Sequence, residues 1–173
     1  AFFRLIRSKN ILIVILTQYM ARIFLIGPKE QWLSQMLDYK LFFLVLSTIS
    51  IAAAGYIIND FCDVATDEIN KPEKVIIGHH ISYSNASRFY YIINIAGIIL
   101  GAAVAFKVRS LHLASVQIAA AGLLWLYAMQ LKKRPIVGNL AVALLSAIVL
   151  LMPVFFEPIV FYNSQPEFDI VLQ

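Results

Sequence analysis

The sequence predicts an all-α fold, a polytopic transmembrane helical bundle, on three observations. Of its residues 61% are hydrophobic and only 14% charged, whereas a typical globular domain is about half apolar and a quarter charged. Mean hydropathy is +0.79. The apolar residues also gather into runs of bilayer length, about 20 residues each, parted by short polar links. About five such spans fit into 173 residues.

The first span is predicted over residues 10–26, with Arg4, Arg7 and Lys9 ahead of it and Gly27-Pro28 closing it. The second covers residues 41–58 and becomes rich in small residues toward its end, Ala52, Ala53, Ala54 and Gly55, which lets a neighbouring helix come close. Residues 59–88 form the longest polar stretch, where Lys71-Pro72 stops any continued helix and Ser82-Tyr83-Ser84-Asn85 supplies loop and capping residues. The third and fourth spans, residues 89–106 and 113–131, form a hairpin around Lys107, Arg109 and His112. After Lys132-Lys133-Arg134-Pro135 comes the fifth span, residues 136–156, and then a polar turn marked by Pro158 and Pro166. Ala1 in place of an initiator Met, and a new apolar run at residues 168–172, predict the amino-terminal part of a longer protein, a single membrane-embedded domain over residues 1–173. No signal-peptide cleavage is expected, since Arg22 and further apolar residues follow the first run.

The single cysteine, Cys62, excludes an intrachain disulfide. The net charge of +4 sits beside apolar runs, a pattern of membrane topology and not of nucleic-acid binding. Alternating spans place roughly nine Lys and Arg on the side of the amino terminus, residues 59–88 and residues 132–134, against about five on the other. That side is therefore expected to be cytoplasmic.

Chemistry concentrates in Asn59, Asp60, Asp63 and Asp67. If the second helix continues past Ile58, their spacing lines all four side chains along one face. Like charges at that spacing repel, so a compensating cation is the natural explanation. Oxygen ligands select a hard ion such as Mg²⁺, which is held by one or two carboxylates together with phosphate oxygens. Lys71, Lys74, Lys132, Lys133 and Arg134 lie on the same predicted side and can direct charge at a diphosphate. The bland reading is a solvated acidic loop, which a lone acidic pair would favour; three Asp and an Asn in helical register reverse that preference.

The pattern Asn59-Asp60-x-x-Asp63-x-x-x-Asp67, followed by Asn70-Lys71-Pro72, resembles the first aspartate-rich motif of the UbiA family of intramembrane prenyltransferases. A second stretch, Tyr127-x-x-x-Leu131-Lys132-Lys133-Arg134-Pro135-x-x-Gly138-Asn139, resembles the segment after the fourth helix in members related to archaeal geranylgeranylglyceryl-phosphate geranylgeranyltransferases. The resemblance implies the first five of nine helices around a central cavity. A second Asp-rich motif, which members carry after the sixth helix, has no counterpart here, so the stretch by itself is expected to be inactive. Lys74 is a departure, standing where many members carry Arg.

The resemblance further implies that Asp60, Asp63 and Asp67 bind Mg²⁺ on the diphosphate of a polyprenyl donor, with Asn59 orienting a carboxylate or a metal-bound water. The isoprenoid would pass to a lipophilic acceptor dissolved in the same membrane lipids, of the glycerol-phosphate type, or alternatively to an aromatic ring of quinone synthesis. Asn10 matches an Asn placed near the substrate by family members, with a helix cap as its plain alternative. Tyr127 and Asn139 enter through the second motif; Tyr127 and Trp125 otherwise read as interface aromatics. Gln18 and Arg22, four apart in the first span, face the cavity or let Arg22 snorkel outward. His79-His80 lacks a third metal ligand at useful spacing, and Gly97 and Gly101 read as a helix-packing pair. Two readings from other classes stand beside the enzyme: a cation-binding transporter subunit, and a membrane scaffold without catalysis.

Overall fold

The computed structural model describes residues 1–26 and 37–156. Among them the α-helices are α1 (Phe2–Leu5), α2 (Ser8–Ala21), α3 (Tyr39–Asn70), α4 (Tyr83–Lys107), α5 (Ala114–Met129) and α6 (Pro135–Phe155). A π-helical turn, Arg22–Ile26, prolongs α2, and single 3-10 turns at Leu111–Leu113 and Leu131–Lys133 lead into α5 and α6. Among the described residues, five helical segments are long and apolar enough to cross a membrane, matching the expected spans. The expected closure of the first span at Gly27-Pro28 and the turn at Pro158 and Pro166 lie outside the described residues.

The second helix departs most from the expected bounds. At 32 residues α3 runs unbroken, about 48 Å at 1.5 Å per residue, well beyond the roughly 30 Å of a bilayer core. Its start is capped by Asp38, whose side chain accepts from Lys40 N at 2.8 Å. Its end is set by Pro72, which pushes the preceding Lys71 out of the helical region to φ −150°, ψ 60°. What reads as a polar loop is thus helix as far as Asn70, and the aspartates ride on that overhang. α4 also begins early, because Ser82 Oγ accepts from Asn85 N at 3.3 Å and caps it six residues ahead of the apolar run.

α3 is the hub, packing against α2, α4, α5 and α6, with its broadest face on α4. Gly97 makes that contact possible: a Cβ there would stand 2.8 Å from Ile51 Cγ1 and 3.1 Å from the Ser47 carbonyl. Ser47 Oγ then donates to the Gly97 carbonyl at 2.7 Å. A second anchoring cluster joins Leu5 of α1 to Ile57 and Val64 of α3 and to Val75, Ile76 and Ile77. These residues tie α1 down over the end of α3. Away from the hub, large side chains such as Leu12, Ile13 and Leu16 on α2 and Ile92, Ile95 and Ile99 on α4 are exposed, as lipid-facing positions require.

Candidate active site

Two chain-distant cations each pin one aspartate of the cluster. Arg7 donates to Asp60 Oδ1 at 2.9 Å, and Lys132 Nζ donates to Asp63 Oδ1 at 2.6 Å. The amino terminus, the end of α3 and the link between α5 and α6 therefore share one side of the bundle, as the basic residues implied. Asn59 Nδ2 donates to Asp63 Oδ2 at 3.0 Å, so Asp63 is held at both oxygens.

Asp60, Asp63 and Asp67, all half-buried, open onto one cavity of about 730 Å³. Lys71, Lys74 and Asn10 line it with them, together with Arg4, Arg7 and Lys9. A second, largely apolar cavity of about 380 Å³ lies between α2, α3, α5 and α6. Its walls include Asn59, Tyr56 and Tyr127 toward the aspartate side and Ala52, Gly55 and Ala120, whose small side chains leave the space. Ala53 and Ala54, the other small residues of that run, are buried in helix contacts. Arg7 lines both cavities and lies 5.1 Å from the centre of the Tyr56 ring. A polar chamber and a hydrocarbon-lined one thus meet at a guanidinium.

Not every expected residue converges. Lys133, Arg134 and Asn139 are exposed and line neither cavity. The neighbouring Gly138 explains part of that motif instead: a Cβ there would come within 2.9 Å of the Leu131 carbonyl, so the turn carrying Lys132 closes only over glycine. Arg22 stands 3.8 Å from Asp38 on the far side of the membrane, away from the aspartates. Gln18 is fully buried and donates to Thr48 Oγ1 and to the Val149 carbonyl. His79, His80 and Trp125 are exposed. Gly97 and Gly101 both pack helices as expected, Gly101 by seating the side chain of Gln117, a residue that no sequence motif singles out.

Among the described residues, no three acidic, histidine or cysteine side chains converge tightly enough to enclose an ion. Arg7 instead pairs with Asp60 and Lys132 with Asp63. The donor set still suits Mg²⁺ shared with phosphate: hard oxygens on one helix face, beside a cavity open to water, need contribute only one or two carboxylates. Sequence reasoning missed Arg7, counted there only as a topology charge. Its signal was its place three residues before Asn10; no local pattern links it to Asp60, 53 residues away.

Comparison with known proteins gives the family and the fold. The model of the UbiA prenyltransferase family matches residues 16–163. Among curated proteins, the digeranylgeranylglyceryl phosphate synthase of Sulfurisphaera tokodaii is 32% identical over 86% of this chain and 49% of its own length. That of Saccharolobus solfataricus is 32% identical over 95% and 53%. That of Sulfolobus acidocaldarius is 39% identical over 62% and 38%. The chain spans about half the length of the curated relatives it matches. A solved structure from work on digeranylgeranylglyceryl phosphate synthase in membranes superimposes with a TM-score of 0.71 over 90% of this chain and 52% of the other, at 24% identity, and shows the same fold. With a family match over most of its length and five apolar helices built around the motif, this multi-pass integral membrane chain belongs to the UbiA prenyltransferase family.

Proposed function

We propose that this chain is the amino-terminal part of one membrane-embedded domain that transfers an isoprenoid from a polyprenyl diphosphate to a glycerol-phosphate lipid. The observation that carries the reading is the junction at Arg7 of a charged chamber with an apolar one. Together they fit an amphiphile with a polyanionic head and a hydrocarbon tail. Lys71, Lys74, Arg7 and Lys132 offer cationic donors to the head, while the walls between α2, α3, α5 and α6 accept the tail. The synthase names of the relatives support geranylgeranyl as the donor chain and a geranylgeranylglyceryl phosphate acceptor.

The residues' chemistry follows from where charge grows. As the allylic carbon–oxygen bond breaks, negative charge accumulates on the diphosphate, and preorganised lysines and arginine stabilise it. Bound Mg²⁺, held by Asp60, Asp63 and Asp67, would neutralise part of the same charge. Asn59 orients Asp63 through its 3.0 Å hydrogen bond. The apolar walls and surrounding lipid keep bulk water from the allylic centre. The side bearing the aspartates is cytoplasmic in this reading, by its excess of Lys and Arg. A transporter would be expected to carry its charges mid-membrane on broken helices; α3 is unbroken and its carboxylates sit at the end.

The test uses the full-length protein in membranes with radiolabelled geranylgeranyl diphosphate and geranylgeranylglyceryl phosphate, with and without chelator. Asp63→Ala is expected to lower metal-dependent transfer by about 10²-fold or more, while Glu73→Ala on the exposed turn stays near wild type. Wild-type turnover by Asp63→Ala would overturn the site, and transfer to hydroxybenzoate but not to the glycerol-phosphate lipid would overturn the acceptor.

A further inference from the structure

Halfway across the membrane the apolar cavity meets polar side chains that the proposed reaction does not use. Thr48 of α3 and Gln117 of α5 both line it, and both are buried. Thr48 Oγ1 donates to the Leu44 carbonyl and accepts from Gln18 of α2, whose amide also reaches the Val149 carbonyl of α6, so this hydroxyl is satisfied and the unpartnered group is on Gln117. Gln117 is 1% exposed, and its Nε2 donates to no group among the described residues. It is also firmly placed: a Cβ on Gly101 would lie 2.6 Å from Gln117 Cγ and 2.8 Å from Ser47 Oγ, so the stem of Gln117 occupies the notch left by glycine.

Buried amides are costly in a hydrocarbon environment, and an unpartnered N–H beside a cavity is tolerated when a water reaches it. A hydrocarbon pushed over that N–H displaces the water and offers nothing in exchange. The depth of the belt is therefore informative. Thr48 lies twelve residues before Asp60 along the continuous α3, roughly 18 Å at 1.5 Å per residue. With bonds of about 1.5 Å advancing roughly 1.2 Å each, the sixteen main-chain carbons of a C20 isoprenoid extend roughly 19 Å.

We propose that Gln117, seated on Gly101 beside the paired Thr48 and Gln18, forms a polar floor that limits the donor chain to four isoprene units. This rests on the prenyl-diphosphate reading above. A C20 tail ends at the floor with its terminal methyls still on apolar walls; a C25 tail runs over the amide.

The experiment measures binding of tritiated C15, C20 and C25 prenyl diphosphates to the detergent-solubilised full-length protein with Mg²⁺, beside thermal unfolding. Wild type is expected to bind C25 at least about tenfold more weakly than C20. Gln117→Met keeps the bulk of the stem on Gly101 and removes the amide, and should shrink that gap to under about threefold. Gln117→Leu should shift it in the same direction and serves if the Met variant folds poorly. Equal wild-type affinity for C20 and C25, or an unchanged gap in folded Gln117→Met or Gln117→Leu, would overturn the floor while leaving the prenyl-diphosphate reading intact. Binding of none of the three diphosphates would overturn both.

Discussion

Arg7 reaches Asp60 at 2.9 Å from a left-handed backbone, φ 52° and ψ 59°. That conformation costs a non-glycine residue roughly 1–2 kcal/mol, whereas an ion pair as open as this one is worth at most about 1 kcal/mol. The pair by itself does not offset the strain, and strain of this kind concentrates where a ligand is to be held. The left-handed turn is what lets α1 fold back, anchored by Leu5, so that the guanidinium faces both chambers.

It follows that Arg7→Gly should leave the thermal unfolding midpoint within a few degrees of wild type, since relief of strain balances loss of a surface pair. KM for the prenyl diphosphate should rise about tenfold. A variant that unfolds early with unchanged KM would mark Arg7 as structural.

Lys132 and Lys133 are adjacent, yet only Lys132 meets an aspartate, at 2.6 Å. Lys132→Ala should reduce kcat/KM by about 10²-fold, with Lys133→Ala within about threefold of wild type; equal losses would mean that charge near the site matters and position does not. Lys132→Arg should recover only part of the activity, because the planar fork places its charge differently from an ammonium.

Gly138 sits against the turn that positions Lys132. Adding a methyl 2.9 Å from the Leu131 carbonyl meets backbone, which cannot step aside as a side chain can. Gly138→Ala should destabilise by about 1–3 kcal/mol and depress turnover along with Lys132→Ala. Thermal unfolding and kinetics of the same preparation check it; Gly122→Ala, where a Cβ meets nothing within 4 Å, is the control.

Removing divalent metal should abolish transfer, and Mg²⁺ should restore it, because the carboxylates take hard oxygen-preferring ions. Prenyl diphosphate binding should weaken in parallel, measured by equilibrium binding with and without chelator. Full activity after exhaustive chelation would show that Arg7, Lys71, Lys74 and Lys132 carry the diphosphate unaided.

The membrane class, the five spans and the aspartate motif are legible in the amino-acid sequence, because each rests on local composition and on spacing along one helix. Runs of apolar residues report the bilayer directly, and Asp60, Asp63 and Asp67 share a helix face through the 3.6-residue period alone. The stop at Asn70 was legible too, in Lys71-Pro72. Which cation serves which carboxylate is set by packing between helices: Arg7 with Asp60 and Lys132 with Asp63 join residues 53 and 69 apart. The same packing leaves Lys133 and Asn139 outside and has Gly101 make room for Gln117. Every span is apolar nearly all round, so periodicity does not say which face meets lipid and which meets a neighbour; that choice is made by side chains interlocking between helices.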